Sequence, residues 1–146
     1  MSDLKQTEKA LSDYTEAIKL NPRNSAALTA RGRAYLELKN NVDAALRDLQ
    51  QAITLDPEYA PAYLYLASAY SFKKQEALAA LNRGRAYFHA KSYLKSIAEL
   101  DKAIELEPKF PDAHFERGRA EARQALRETW YRPQDEREAA ALKSFK

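Results

Sequence analysis

The chain has 146 residues, of which 31% are charged and 45% hydrophobic, and its formal net charge is +3. These values are ordinary for one soluble domain, and so small a charge excess does not indicate nucleic acid. The absence of cysteine excludes disulfides and thiolate chemistry. No apolar run approaches the roughly 20 residues of a membrane span, and the N-terminus lacks the apolar core of a signal peptide. We therefore expect a cytoplasmic protein without a membrane partner.

The first predicted helix, residues 6–20, ends in a phrase that recurs twice more along the chain. The phrases read Ala-Ile-Lys-Leu-Asn-Pro22, Ala-Ile-Thr-Leu-Asp-Pro57 and Ala-Ile-Glu-Leu-Glu-Pro108. Steps of four and then three residues, ending on the first alanine of each phrase, place small and large side chains on one helical face. These residues are Ala10, Tyr14, Ala17; Ala45, Leu49, Ala52; and Ser96, Leu100, Ala103. Proline then ends each of these helices, which we call second-type helices.

A different pattern, with glycine in mid-helix, marks what we call first-type helices. It occurs as Arg31-Gly32-Arg33, Arg83-Gly84-Arg85 and Arg117-Gly118-Arg119, while residues 60–73 carry Ala67 at the same place. A glycine in mid-helix costs about 1 kcal/mol against alanine, so its recurrence indicates the close approach of another helix. Gly84 and Gly118 are 34 residues apart and Pro22 and Pro57 are 35 apart, a period typical of stacked helix pairs, whereas Pro57 and Pro108 are 51 residues apart.

These two series closely resemble the tetratricopeptide repeat, an antiparallel helix pair with Trp–Leu–Gly–Tyr in its first helix and Ala–Phe–Ala–Pro in its second. The resemblance covers about residues 8–123, with Leu28, Tyr63, Ala80 and His114 at the Trp position. It implies an all-α solenoid of antiparallel helix pairs over residues 1–128. Its parts are a second helix 6–20, a pair 25–55, an extra first-type helix 60–73, a pair 77–106 and a first helix 111–128. Residues 129–146 are predicted to form a polar C-terminal capping helix after a break before Pro133.

The chain departs from the regular repeat in two places. It starts with a second-type helix, and two first-type helices, 60–73 and 77–90, follow each other directly. A tight turn near Lys74 would restore the up-and-down alternation of helices. One continuous helix over 61–90 would instead join two separate repeat modules. The linking residues are mostly strong helix formers, so the sequence leaves both alternatives open.

The sequence offers little basis for catalysis, and we predict no enzyme, cofactor or metal. His89 and His114 are 25 residues apart and fit no metal-ligand spacing. The glycines are single and form no phosphate loop. Tyrosines interleaved with cations can stack nucleic-acid bases, but Tyr14, Tyr35 and Tyr70 occupy the packing positions of the repeat. We therefore expect no nucleic-acid partner.

In the family, first-type helices line a concave groove that holds a peptide or a partner helix. The resemblance assigns twelve residues to this groove: Thr29, Arg33, Glu37, Tyr65, Ser68, Phe72, Asn82, Arg85, His89, Glu116, Arg119 and Arg123. The arginines at 33, 85 and 119 suggest an acidic partner, because a guanidinium suits carboxylates. Alternatively, these arginines are solvated or paired with the glutamates at 37 and 116.

Some family members clamp the C-terminal carboxylate of heat-shock chaperones, and this chain matches that pattern at one position only. Asn82 fits the clamp. Leu64 and Ser68 replace its expected Lys and Asn, and Asp112 and Glu116 replace its Lys and Arg. A chaperone tail is therefore not the expected ligand.

The resemblance implies a protein–protein interaction module or adaptor. The alternative is a self-assembling scaffold, as a symmetric or domain-swapped dimer, or a fragment of an engineered repeat. The helix bearing Leu11, Tyr14 and Ile18 lacks a preceding partner helix, which predicts a homodimer, because an uncovered apolar face tends to bind another chain.

Overall fold

The computed structural model describes residues 2–38, 41–130 and 143, and these residues form seven α-helices and no strand. The helices are α1 (Ser2–Leu20), α2 (Ser25–Glu37), α3 (Val42–Leu55), α4 (Ala60–Phe72), α5 (Glu76–His89), α6 (Tyr93–Leu106) and α7 (Pro111–Trp130). The all-α helical repeat fold is confirmed. None of these helices is long and apolar enough to cross a membrane. The capping helix predicted over 129–146 lies outside the described residues, apart from the end of α7 and Lys143.

Three helices end just before the prolines of the repeated phrase. α1, α3 and α6 end two residues ahead of Pro22, Pro57 and Pro108, and the next helix begins three residues after each proline. Proline has no amide hydrogen and disfavours helical backbone in the residue before it, so the helix stops. At the start of α2, the Asn24 side chain accepts a 3.0 Å hydrogen bond from the Ala27 amide and caps the helix.

Two glycines allow the helices of a pair to touch. A Cβ atom added at Gly32 would lie 2.8 Å from Cγ of Leu49, and one added at Gly84 would lie 2.6 Å from Cγ of Leu100. Both leucines are fully buried, so they occupy the space that a larger residue would need. The Ser96 hydroxyl also donates a 2.7 Å hydrogen bond to the Gly84 carbonyl. The glycines therefore serve packing between helices.

An ion pair accompanies each glycine contact. Arg31 donates two hydrogen bonds to Asp48, at 2.7 and 2.8 Å, and Arg83 donates one to Glu99 at 2.9 Å. Each arginine immediately precedes the glycine, and each carboxylate immediately precedes the leucine. We call this combination, an Arg-Gly step on one helix facing an acid-Leu step on the other, the pair contact. It joins α2 to α3 and α5 to α6.

The apolar core follows these pairs in three clusters. One joins α5, α6 and α7 around Leu81 and Leu100. A second joins α2, α3 and α4 and includes Ala86 of α5. The third centres on Leu28, with Ile18 of α1 packed against it. Every helix therefore takes part in at least one cluster.

A tight turn separates α4 from α5, which decides between the two alternatives for residues 61–90. Lys74 has a φ of 60°, and the Gln75 amide donates a 2.9 Å hydrogen bond to the Tyr70 carbonyl. The turn between α5 and α6 has the same form: Lys91 has a φ of 63°, and the Ser92 amide donates to the carbonyl of Tyr87 at 2.8 Å. α5 therefore follows α4 as a second helix follows a first, and it also serves as the first helix of the pair with α6.

Two side chains at the family's Trp position bind the loop that precedes their helix. The Tyr63 hydroxyl donates a 2.6 Å hydrogen bond to the Pro57 carbonyl, and Nε2 of His114 lies 2.9 Å from the Pro108 carbonyl. Each side chain lies six residues after its proline. His114 therefore has a structural hydrogen-bonding role.

Alanine substitutions at Gly84 and Gly118 test the packing role of glycine. No atom among the described residues lies within 4 Å of a Cβ added at Gly118, beyond its own helix and neighbours. Gly118→Ala should therefore raise the free energy of unfolding by about 1 kcal/mol through helix propensity. Gly84→Ala gains the same propensity but overpacks Leu100, so it should be less stable than Gly118→Ala by about 1–3 kcal/mol. Urea unfolding of dilute samples measures both, and equal values would contradict the contact between Gly84 and Leu100.

The left-handed turn residue at 74 gives a second prediction. A residue with a side chain loses about 1 kcal/mol in this conformation, whereas glycine adopts it freely. Lys74→Gly should therefore increase stability, by at most about 1 kcal/mol. Lys73→Gly is the control, because Lys73 has a φ of −86° and gains no backbone relief from glycine, while it loses an exposed ion pair with Asp43. Thermal melts that rank Lys73→Gly above Lys74→Gly would contradict the turn.

Candidate functional site

The twelve predicted groove residues do not form one continuous surface. Four of them line a cavity between α1, α2 and α4, the N-terminal groove: Thr29, Arg33, Glu37 and Tyr65. Four others line the C-terminal pocket between α5, α7 and the α3–α4 loop: Arg85, His89, Glu116 and Arg119. Ser68 and Phe72, again with Tyr65, line a cleft between α4 and α5. Asn82 and Arg123 line none of these three cavities.

The N-terminal groove has a volume of about 500 Å³ and runs from α1 across α2 to α4. Arg33 pairs with Glu37 at 3.0 Å, and its guanidinium lies 5.7 Å from the centre of the Tyr65 ring. The side chains of Arg33 and Glu37 are 59% and 49% exposed, so a ligand can reach both. Thr29 is buried, and its hydroxyl donates to the Ser25 carbonyl of its own helix. The accessible polar groups of this groove are therefore of both signs.

The cleft between α4 and α5 has a volume of about 570 Å³, and one of its walls is apolar. Phe72 and Leu64 on α4 are both exposed, and the opposite wall includes Arg83 of α5. The Ser68 hydroxyl donates to the Leu64 carbonyl at 3.3 Å. This cleft offers apolar contact but few free polar groups.

The C-terminal pocket, about 430 Å³, holds a chain of ion pairs. Glu116 is only 8% exposed and accepts from Arg85 at 3.4 Å and from Arg119 at 3.0 Å. Arg85 also lies 3.9 Å from Asp112, and the Arg119 guanidinium lies 4.4 Å from the centre of the Phe88 ring. Because these arginines already have carboxylate partners, they are poorly available to an acidic ligand.

His89 lies in the same pocket beside an aromatic ring. Its ring stacks on Tyr63 at 5.2 Å between centroids. Burial lowers the pKa of His89 below its ordinary value, and Arg119 lowers it further. Burial also raises the pKa of the Tyr63 hydroxyl. The pocket therefore favours the neutral form of both rings at neutral pH.

The turn at Lys74 explains why the predicted groove is divided. On α4, Tyr65, Ser68 and Phe72 share one face, and Tyr63 lies on the opposite face. α5 folds back on α4 so that His89 contacts Tyr63. The face of α5 that carries His89 thus adjoins the Tyr63 face of α4. As a result, Arg33 lies in a different cavity from Arg85 and Arg119.

Several lining residues were not predicted from the sequence, and most of them lie outside the expected groove helices. The N-terminal groove also includes these side chains of α1 and the α3–α4 region: Asp3, Gln6, Thr7, Ala10, Tyr14, Tyr59 and Pro61. The C-terminal pocket includes Ile53, Pro57, Glu58 and Tyr63. The first set is accessible because no first-type helix covers the inner face of α1 among the described residues. The sequence showed that α1 lacks this partner, but the prediction drawn from it was a homodimer and not a groove along α1.

No group of acidic or histidine side chains in the described ranges is arranged to hold a metal ion. Two family models, described as TPR repeat and tetratricopeptide repeat, match residues 84–124 and 3–60. The chain belongs to the tetratricopeptide repeat (TPR) family. Between them, the matches leave out residues 61–83, which contain all of α4 except Ala60, the turn at Lys74 and the start of α5. This is the segment in which one first-type helix follows another.

The relatives of the chain include full-length proteins and solved TPR domains. Small glutamine-rich tetratricopeptide repeat-containing protein 2 of Saccharomyces cerevisiae is 38% identical over 81 residues, which cover 54% of this chain and 23% of the yeast protein. The chain thus spans less than a quarter of that relative. The Arabidopsis OM64 TPR domain is 31% identical, covering 80% of this chain and 81% of the domain, with a TM-score of 0.40. The first TPR of Spaghetti (RPAP3), bound to the HSP90 peptide SRMEEVD, is 25% identical, and the match covers 84% of this chain and 81% of that domain, with a TM-score of 0.41.

The lowered pKa of His89 predicts a pH dependence of stability. At His89 the folded protein binds fewer protons than the unfolded chain. The contribution of His89 to the free energy of unfolding is therefore present above the unfolded pKa of 6.5 and is lost as the pH falls below it. His89→Phe should show a smaller loss of melting temperature between about pH 7.5 and about pH 5. The groups that face His89, namely Glu58, Glu116, Arg85 and Arg119, are the same in both proteins and cancel in the comparison. Parallel pH profiles would contradict this interpretation.

Proposed function

We propose that this chain is a protein-binding module whose N-terminal groove holds a helix or an extended segment of a partner protein. TPR proteins are protein-interaction modules, which supports the general function. The observation that favours this groove is its composition: tyrosines from three parts of the chain and several alanines surround one accessible Arg–Glu pair. Tyrosine and arginine are the residues that most often dominate the binding energy of protein interfaces.

Tyr14, Tyr59 and Tyr65 all line the groove, with Ala10, Ala26 and Ala30 beside them. None of the three tyrosines is fully buried, so each ring still has surface that a partner can cover. Burial of that surface would provide the apolar part of the binding energy. The partner should therefore present apolar side chains to the rings.

An acidic partner is the narrower form of the proposal, and the charges support it at one position. Arg33 is exposed and could exchange the Glu37 carboxylate for one on a ligand. Asp3 and Glu37 also line the groove, so its charge is mixed rather than basic. We therefore expect a partner with one acidic group among apolar residues, not an acidic tail.

The C-terminal pocket is a weaker candidate for binding a carboxylate. Asp112 and Glu116 stand where a carboxylate clamp needs cations, and both contact Arg85. A ligand carboxylate would have to displace Glu116, which is buried between two arginines. For this reason we place the partner in the N-terminal groove.

Selection of peptides on the immobilised chain, followed by calorimetric titration of the selected sequences, tests the proposal. Tyr65→Ala should weaken binding about tenfold or more, as expected for an aromatic anchor. Arg33→Ala should weaken the binding of acidic sequences and reduce its dependence on salt.

Arg119→Ala in the C-terminal pocket is the matched control and should leave the affinity unchanged. The proposal fails if Arg119→Ala abolishes binding while Tyr65→Ala does not. It also fails if no peptide binds to the folded chain.

A further inference from the structure

α1 and α7 are complementary halves of a helix pair that the described chain does not complete. α1 has the pattern of a second-type helix and packs against α2, but among the described residues no other first-type helix covers its face that carries Ala10 and Tyr14. α7 has the pattern of a first-type helix, and no second-type helix follows it within the described residues. The pair contact, defined above within α2–α3 and α5–α6, shows what each face requires.

The first-type half of the pair contact is open on α7. A Cβ atom added at Gly118 meets nothing within 4 Å, whereas Leu49 and Leu100 fill the same place at Gly32 and Gly84. Arg117 turns back to Asp101 of the preceding helix at 3.0 Å and to Glu121 of its own helix at 3.9 Å. Its counterparts, Arg31 and Arg83, each bind the second-type helix that follows.

The second-type half is open on α1. Counted back from the closing proline, Asp13 and Tyr14 stand where Asp48 and Leu49 stand in α3 and where Glu99 and Leu100 stand in α6. Asp13 is exposed and has no cation within ion-pair distance among the described residues. Ala10 and Ala17 are partly exposed, while their counterparts in α3 and α6 are fully buried. Tyr14 and Ala10 face the N-terminal groove.

We propose that α7 of one copy seats on α1 of a second copy, so that Arg117-Gly118 and Asp13-Tyr14 form an intermolecular pair contact. Tyr14 would fill the space over Gly118, and Asp13 would receive Arg117 in place of Asp101. This inference rests on the proposed function, because it names the segment that the α1 side of the N-terminal groove holds.

Residues 131–146 do not carry the sequence pattern that would close this face. In residues 131–146, no large apolar residue stands four residues after a small one and three residues before an alanine. The residue that follows Gly118 at the spacing of Leu100 from Gly84 is Gln134, and the one at the spacing of Leu49 from Gly32 is Asp135. Neither is apolar. A second copy therefore matches the open face better than the chain's own C-terminal segment.

An interface of this kind joins two different surfaces and leaves one of each free at the ends. Such head-to-tail contacts produce open chains or closed rings, in contrast to the symmetric dimer expected from the sequence. Sedimentation velocity of the full chain over a wide concentration range should therefore show species beyond the dimer.

Charge reversal tests the register of the contact. Asp13→Arg and Arg117→Asp should each raise the dissociation constant at least about tenfold, because each places like charges opposite one another. An equimolar mixture of the two variants should associate again, and so should the double variant. Glu105→Arg and Lys109→Asp make the same charge changes on exposed residues outside the interface and should leave association unchanged.

Gly118→Ala tests the packing without changing charge. It should weaken association while leaving the isolated chain folded and at least as stable, because the added methyl group meets only the incoming Tyr14. The inference is overturned if the parent chain stays monomeric at millimolar concentration, or if mixing the two charge variants does not restore association. A monomeric parent that still binds peptides through Tyr65 would overturn this inference alone and leave the proposed function intact.

Discussion

The structure depends on the direct contact between a glycine on one helix and a leucine on the next. At Gly84 the Leu100 side chain comes so close that even a methyl group would overlap it. The burial of Leu49 and Leu100, and the ion pair beside each glycine, maintain this short distance between the helices. Because the same contact recurs in α2–α3 and α5–α6, the chain stacks helix pairs rather than forming one shared core.

The double role of α5 follows from this requirement. α5 carries the glycine that receives α6, yet the turn at Lys74 also packs it against α4. A single helix cannot direct its groove side chains to both neighbours at once. Arg85 and His89 therefore adjoin Tyr63 on the far side of α4, and the surface that a regular array would present is divided into separate cavities.

The same logic connects the N-terminal groove with the open face of α7. The groove exists because no helix among the described residues covers the face of α1 on which Ala10 and Tyr14 lie. Gly118 is exposed for the corresponding reason at the other end of the described helices, where no second-type helix follows α7. Both surfaces are consequences of how helix pairs are completed, so the proposed binding would extend the chain's own helix packing.

The sequence by itself determined the helix type, the ends of α1, α3 and α6 and two packing glycines, Gly32 and Gly84, because proline and glycine act locally on the backbone. It also identified the glutamates at 37 and 116 as alternative partners of the arginines. Only the tertiary structure decided that α4 and α5 form two helices, since the linking residues are helix formers and the left-handed Lys74 has no glycine to mark it. The division of the groove depends on that one turn, and no local pattern in the groove residues encodes it.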